Sequence, residues 1–166
     1  MPKVFFGHDG LRDIQQRTEE LESNTSAEVR VKIVGKSSEN IAEDSREQVV
    51  AEFYNEGMNG TRNQTGILIL VILDRDRMKR KIEIFTDEGI GEKISQEELN
   101  DIAKTGTACL FKGHGTDGVF LVLQKLSEKL EQFFPRKELD INELPNEVIV
   151  EDNADSMEVE AEDDKE

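Results

Sequence analysis

The stretch Ile67–Thr86, ILILVILDRDRMKRKIEIFT, decides the fold of this chain. Its first part, Ile67–Leu73, is continuously apolar and rich in branched side chains, which is typical of a strand buried on both faces. From Arg80 to Thr86 apolar and polar side chains alternate, as in a strand with one face towards a core. Because the connection between the two segments is short, we predict an antiparallel hairpin.

Helices and a further strand surround this hairpin. The segment Glu28–Val34 alternates strictly, which predicts a half-exposed strand whose Glu28, Arg30 and Lys32 face water. Four other segments have the apolar spacing of amphipathic helices, with serine caps before two of them and glycine or proline after. The predicted helices are Gly10–Ser23, Ser37 or Ser38 to Gly57, Ser95–Leu110 and Asp117–Phe133.

The order of these elements, α-β-α-β-β-α-α, predicts an α/β fold. Since a helix joins the first two strands, we expect them to be parallel, with a right-handed crossover. The third strand should be antiparallel to the second, which gives a mixed β-sheet sandwiched by helices. We predict one domain over residues 1–135 and an acidic C-terminal tail over residues 136–166.

The negative charge of the chain is concentrated in that tail. From Arg136 to Glu166 there are 13 acidic and 3 basic residues, a net charge of −10 out of the total −16. Such a segment buries too little apolar surface to order itself, so we expect disorder. Nucleic acid is excluded as a partner, because the acidic balance repels phosphates and no basic stripe with aromatic residues is present. A protein partner bound through the surface or the tail remains open, and the oligomeric state is not determined.

Cysteine content and hydropathy indicate the compartment. Cys109 is the only cysteine, so the chain forms no internal disulfide. The first residues lack an apolar leader, and the longest apolar run, Ile67–Leu73, is too short to span a membrane. We therefore expect a soluble, cytoplasmic protein without membrane insertion.

Acidic residues stand at both ends of the hairpin. Asp74 and Asp76 belong to its turn, whereas Asp87 and Glu88 follow its second strand. Seven residues of strand at about 3.3 Å each separate the ends by roughly 23 Å, so these acids cannot share one site. The Asp74–Asp76 turn is similar to the nucleophile loop of haloacid-dehalogenase phosphatases, but a strand follows it directly, and we interpret it as an exposed turn.

The second acidic pair is the better candidate for a cation site. Asp87 and Glu88 are followed by Gly89 and Gly91, and Asp87 should lie level with the loop 59–66. Carboxylates beside exposed carbonyl groups suit a hard cation. An ordinary strand-to-helix turn explains the same residues equally well. Asp117, at the start of the last helix, is either a helix cap or a further ligand.

Several phrases of the sequence resemble the TPM domain family. They are TSAEVRVKIV, AEFYNEGMNGTRNQTGILILVILDRDRMKRKIEIFTDEGIGEKI and LFKGHGTDGVFLVLQKL, in residues 8–135. The resemblance implies a mixed α/β/α sandwich, divalent-cation binding in an acidic cluster, with Ca²⁺ ahead of Mg²⁺, and weak acid phosphatase activity. The implied ligands are Asn63, Asp87 and Asp117, with Glu88 as an addition.

Three functions therefore remain open. The first is a binding or accessory domain that holds a divalent cation at the implied ligands. The second is a weak metal-dependent acid phosphatase, in which the cation positions phosphate and activates water. The third is an assembly factor that acts through its surface and tail without any site.

Overall fold

The structure is a computed structural model that describes residues 2–36, 45–74, 79–136 and 148–151. Five helices and four strands occupy these residues. In chain order they are α1 (Pro2–Glu22), β1 (Glu28–Lys36), α2 (Ser45–Asn55), β2 (Gly66–Asp74), β3 (Lys79–Thr86), α3 (Glu88–Gly91), α4 (Gln96–Phe111), α5 (Gly115–Phe133) and β4 (Ile149–Glu151).

The four strands form one mixed sheet in the order β3-β2-β1-β4. Strands β1 and β2 are parallel over their whole length, from the pair Glu28–Gly66 to the pair Lys36–Asp74. Strand β3 returns antiparallel to β2. The predicted antiparallel pairing of the second and third strands and the predicted parallel pairing of the first two are both confirmed, as is the α/β class.

Helices cover both faces of the sheet. Alternate side chains of β1 and β3, among them Val31, Ile33 and Ile82, face a large core that also contains residues of α1, α4 and α5. On the opposite face Leu68, Leu70 and residues of α2 form a second core. Every residue of Ile67–Leu73 is buried, as its continuous apolar sequence predicts.

The prediction that β1 is half exposed is wrong. Glu28, Arg30 and Lys32, which were expected to face water, are 4%, 7% and 1% exposed. The reason is that this face of β1 lies beside Glu52 and Glu56, whose carboxylates take up the buried positive charges. The charged residues that alternate along β1 therefore form a face that is buried beside these glutamates, and not a face exposed to solvent.

Helix boundaries differ from the prediction mainly at the N-termini. Helix α1 begins at Pro2, eight residues before Gly10. Helix α2 begins at Ser45, while the predicted caps Ser37 and Ser38 lie outside the described residues. A short helix, α3, occupies the segment after Asp87, for which the sequence left open a cation site or an ordinary strand-to-helix turn.

A strand from the predicted tail completes the sheet. Residues Ile149–Glu151 pair in parallel with the outer edge of β1, from Lys32 to Val34. This part of the tail is therefore ordered by pairing with the domain, contrary to the prediction for residues 136–166. The remaining predicted tail, residues 137–147 and 152–166, lies outside the described chain.

Helices α4 and α5 pack closely through two glycines. A Cβ atom on Gly106 would lie 2.9 Å from the carbonyl oxygen of Gly118, and one on Gly118 would lie 2.7 Å from that of Gly106. Side chains at these positions would push the two backbones apart. The pair thus sets where α5 begins relative to α4 and the sheet.

Candidate functional site

Asp87 lies where β3 ends and α3 begins. Its backbone N–H donates to the carbonyl oxygen of Gly66 at 3.0 Å, which places it level with the loop before β2, as predicted. Its Oδ1 atom accepts a hydrogen bond from the backbone N–H of Glu88 at 2.9 Å. The Asp87 carboxylate therefore already acts as the N-cap of α3.

The backbone of Asn63 reaches the same place. A Cβ atom on Gly89 would lie 2.3 Å from the carbonyl oxygen of Asn63 and 2.6 Å from that of Gln64. Only glycine permits this approach, so the loop 59–66 rests directly on α3. The Asn63 and Glu88 side chains are exposed. The structure thus brings Asn63, Asp87 and Glu88 to one edge of the sheet, the edge where β1 and β2 begin.

Asp117 lies at the opposite edge. At the N-terminus of α4, the Gln96 amide donates to the carbonyl oxygen of Ile84 near the end of β3. At its C-terminus, the guanidinium of Arg80 near the start of β3 donates to the carbonyl oxygen of Leu110. Helix α4 therefore runs antiparallel to β3, and its 16 residues span about 24 Å. Asp117 follows in the first turn of α5, so the structure does not bring it together with Asp87.

The surroundings of Asp117 are polar and open to solvent. Its Oδ2 atom lies 3.8 Å from Nδ1 of His114, and the two side chains are 73% and 63% exposed. The pair is an ion pair only when the histidine is protonated. A carboxylate in the first turn of α5 also interacts favourably with the positive end of the helix dipole.

The edge that carries Asp117 is the one at which the parallel strands end. Strand β1 ends at Lys36 and β2 ends at Asp74, which pair with each other in the sheet. Ligands of open α/β sheets bind outside the carboxyl ends of the strands, because loops and helix N-termini converge there. Asp74 was predicted to lie in an exposed turn, whereas it is the last residue of β2. The predicted parallel pairing of the first two strands already implied that their carboxyl ends lie at this edge.

The four predicted ligands do not fit one cation. Ca²⁺ takes about six to eight oxygen ligands, which must surround it at direct contact distance. Asn63, Asp87 and Glu88 lie at one edge and Asp117 at the other, so they cannot surround the same ion. Within the described residues no group of three or more His, Cys, Asp and Glu side chains could hold a metal ion.

Comparison with known proteins agrees with the class that the fold defines, a mixed α/β sandwich. A model of the TPM domain matches residues 5–129, so the chain belongs to the TPM domain family. Its structure is similar to the NMR structure of the BA42 protein from the psychrophilic bacterium Bizionia argentinensis. The TM-score is 0.73 at 26% sequence identity, over 86% of this chain and 93% of that one. No curated protein matches.

Membrane insertion finds no support in the helices. None of those in the described ranges combines the length and the apolar character that crossing a bilayer requires.

Proposed function

We propose that this chain is a binding domain that holds a divalent cation at the carboxyl edge of its sheet, near Asp117 and the end of β2. The observation that carries the proposal is the contact of Gly106 with Gly118, because it sets the first turn of α5 at that edge. Asp117 supplies an exposed carboxylate there.

The chemistry favours an open site and Ca²⁺ over Mg²⁺. Asp117 is exposed, so water completes much of the coordination shell. Ca²⁺ accepts irregular geometry with carboxylate, carbonyl and water oxygens, whereas Mg²⁺ demands a near-ideal octahedron. Asn63, Asp87 and Glu88 are left out of this site, because they lie at the other edge.

A calcium titration of the full chain, followed by backbone NMR, tests the proposal. We expect localised amide shifts in residues 114–118 and at the end of β2. Asp117→Asn should weaken the apparent affinity at least about tenfold, since it removes a charged oxygen ligand.

The matched control is Asp87→Asn combined with Glu88→Gln, which removes the same kind of charge from the opposite edge. It should leave the affinity within about twofold. Shifts confined to residues 87–89 would instead place the cation at the edge of α3. The absence of localised shifts at millimolar calcium would refute cation binding altogether.

The phosphatase activity that the family resemblance implies depends on the same residues. Hydrolysis of p-nitrophenyl phosphate that needs calcium and is lost in Asp117→Asn would extend the proposal to metal-dependent catalysis. Hydrolysis that survives this change would exclude that mechanism.

A further inference from the structure

Strand β4 is a short strand on the outer edge of β1. It has three residues, and its side chains are half-buried or exposed. Residues 137–147 separate it in sequence from the rest of the domain. Three residues of pairing contribute little against the entropy of fixing the backbone of β4, so β4 is easily released compared with the inner strands.

The edge of β1 nevertheless offers three specific contacts to an extended chain. Val148 and Val150 pack against the large core on one face of the sheet. On the other face the Glu151 carboxylate accepts from Nζ of Lys32 at 3.0 Å. Apolar side chains at alternate positions followed by an acid are therefore what this edge recognises, and backbone pairing supplies the rest.

Lys32 makes this recognition selective for a carboxylate. Its side chain is 1% exposed, whereas that of Glu151 is 53% exposed. The ammonium group thus belongs to the domain, while its third acidic partner arrives with the added strand. A neutral residue in place of Glu151 would leave this contact unmade, and a basic residue there would place a second positive charge beside Lys32.

We propose that the outer edge of β1 is a docking site for an extended acidic segment of a partner protein, and that residues 148–151 fill it in the free chain. The partner segment has two apolar residues at alternate positions and a glutamate directly after the second. It adds to the sheet parallel to β1 and displaces β4. This function is independent of cation binding, since it does not use Asp117.

The test is direct binding of a labelled peptide with the sequence of residues 144–154 to the full chain. In Val150→Asp/Glu151→Lys the chain's own segment should leave the edge, which then becomes available. We expect fluorescence anisotropy to show at least about tenfold tighter binding to this variant than to the wild type. The reason is that a tethered segment competes at an effective concentration of about millimolar.

Two controls define the specificity. Glu128→Gln changes the net charge by the same amount on an exposed position of α5 and should behave as the wild type. A peptide that carries the Val150→Asp and Glu151→Lys changes should not bind the released variant. If the double variant does not fold, Glu151→Lys alone serves, because that side chain is largely exposed.

Three results would overturn the proposal. Equal binding of both peptides would show that the edge of β1 does not discriminate between peptide sequences. If the wild-type peptide does not bind to the folded double variant, the edge of β1 accepts only the chain's own segment, and β4 serves to cover the sheet edge. A dimeric mass of that variant in light scattering, without peptide, would identify a second copy of the chain as the occupant.

Discussion

Lys32 is enclosed by glutamates inside the protein, and its energetics follow from that enclosure. Its Nζ atom lies 2.7 Å from Glu56, 3.0 Å from Glu151 and 3.2 Å from Glu52. Burial by itself lowers the pKa of Lys32, but the hydrogen bonds to Glu56 and Glu151 and the attraction of Glu52 outweigh it. The pKa of Lys32 is therefore raised above its ordinary value.

Replacing this lysine should be costly. Lys32→Met leaves Glu52 buried without its positive partner, and removing one member of a buried ion pair costs about 3–5 kcal/mol. We expect a loss of that size in urea denaturation. The same replacement at the exposed Lys104 is the control and should change the free energy of unfolding by less than about 0.5 kcal/mol. Equal effects of the two changes would show that the enclosure contributes nothing.

The raised pKa of Lys32 also makes stability depend on alkaline pH. A group whose pKa is higher in the folded chain stabilises it fully below the unfolded pKa, about 10.4 for lysine, and this contribution is lost as pH rises through the folded pKa. Between about pH 10 and pH 12 the wild type should therefore lose more stability than Lys32→Met. Parallel pH profiles of the two urea midpoints would contradict this.

Lys32 also shows where residue-level prediction fails. Its alternation with Val31 and Ile33 correctly assigned it to the face away from the large core. Whether that face meets water depends on Glu52 and Glu56, which are about twenty residues away in sequence and come close only after α2 has packed. The hydrophobic pattern predicts which side chains of a strand share a face. It does not predict whether an element that is distant in sequence covers that face.

At the level of elements, the contact between α4 and α5 positions the candidate site. A Cβ atom on Gly106 would lie 2.6 Å from Val122 and 2.7 Å from Ile82, besides the Gly118 carbonyl. The glycine is therefore required by packing, although it weakens the helix by about 1 kcal/mol relative to alanine.

Gly106→Ala should destabilise the protein by about 1–3 kcal/mol, because overpacking exceeds the gain in helix propensity. It should also shift amide signals in residues 114–118, since α5 must move. Gly91→Ala is the control: a Cβ atom there meets nothing within 4 Å. Thermal denaturation and NMR spectra of both variants check this, and unchanged stability in Gly106→Ala would mean that the helices separate freely.

Element prediction succeeded where one local pattern sufficed. The buried strand, the hairpin and the capping box at Ser95, whose hydroxyl accepts from the N–H of Glu98, were all confirmed. Strand β4 could not be predicted in this way, because three residues between charged neighbours carry no period. Its pairing is a property of the edge of β1. The predicted grouping of Asp117 with Asp87 was wrong for a similar reason. It depended on the direction of α4 relative to β3, which no local sequence pattern indicates.

At the level of the whole molecule, protection should decrease from the centre of the sheet outwards. Strand β2 pairs on both sides, with β1 and β3, and its residues Ile67–Leu73 are all buried. Strand β4 pairs on one side only, within the described chain. Amide hydrogen exchange should therefore be slowest in Leu68–Ile72 and faster by several orders of magnitude in Ile149–Glu151. Comparable protection in β4 would argue against a displaceable strand.

Both described ends of the chain lie towards the same edge of the molecule. The Thr116 hydroxyl, beside Asp117, donates to the carbonyl oxygen of Phe6 in the second turn of α1. Strand β4 runs parallel to β1 and β2, so the chain leaves Glu151 towards the edge where they end. A polyhistidine tag at the N-terminus would therefore carry foreign metal ligands to the proposed cation edge. Affinities should be measured after such a tag is removed, and an N-terminal fluorophore would conversely report on events at that edge.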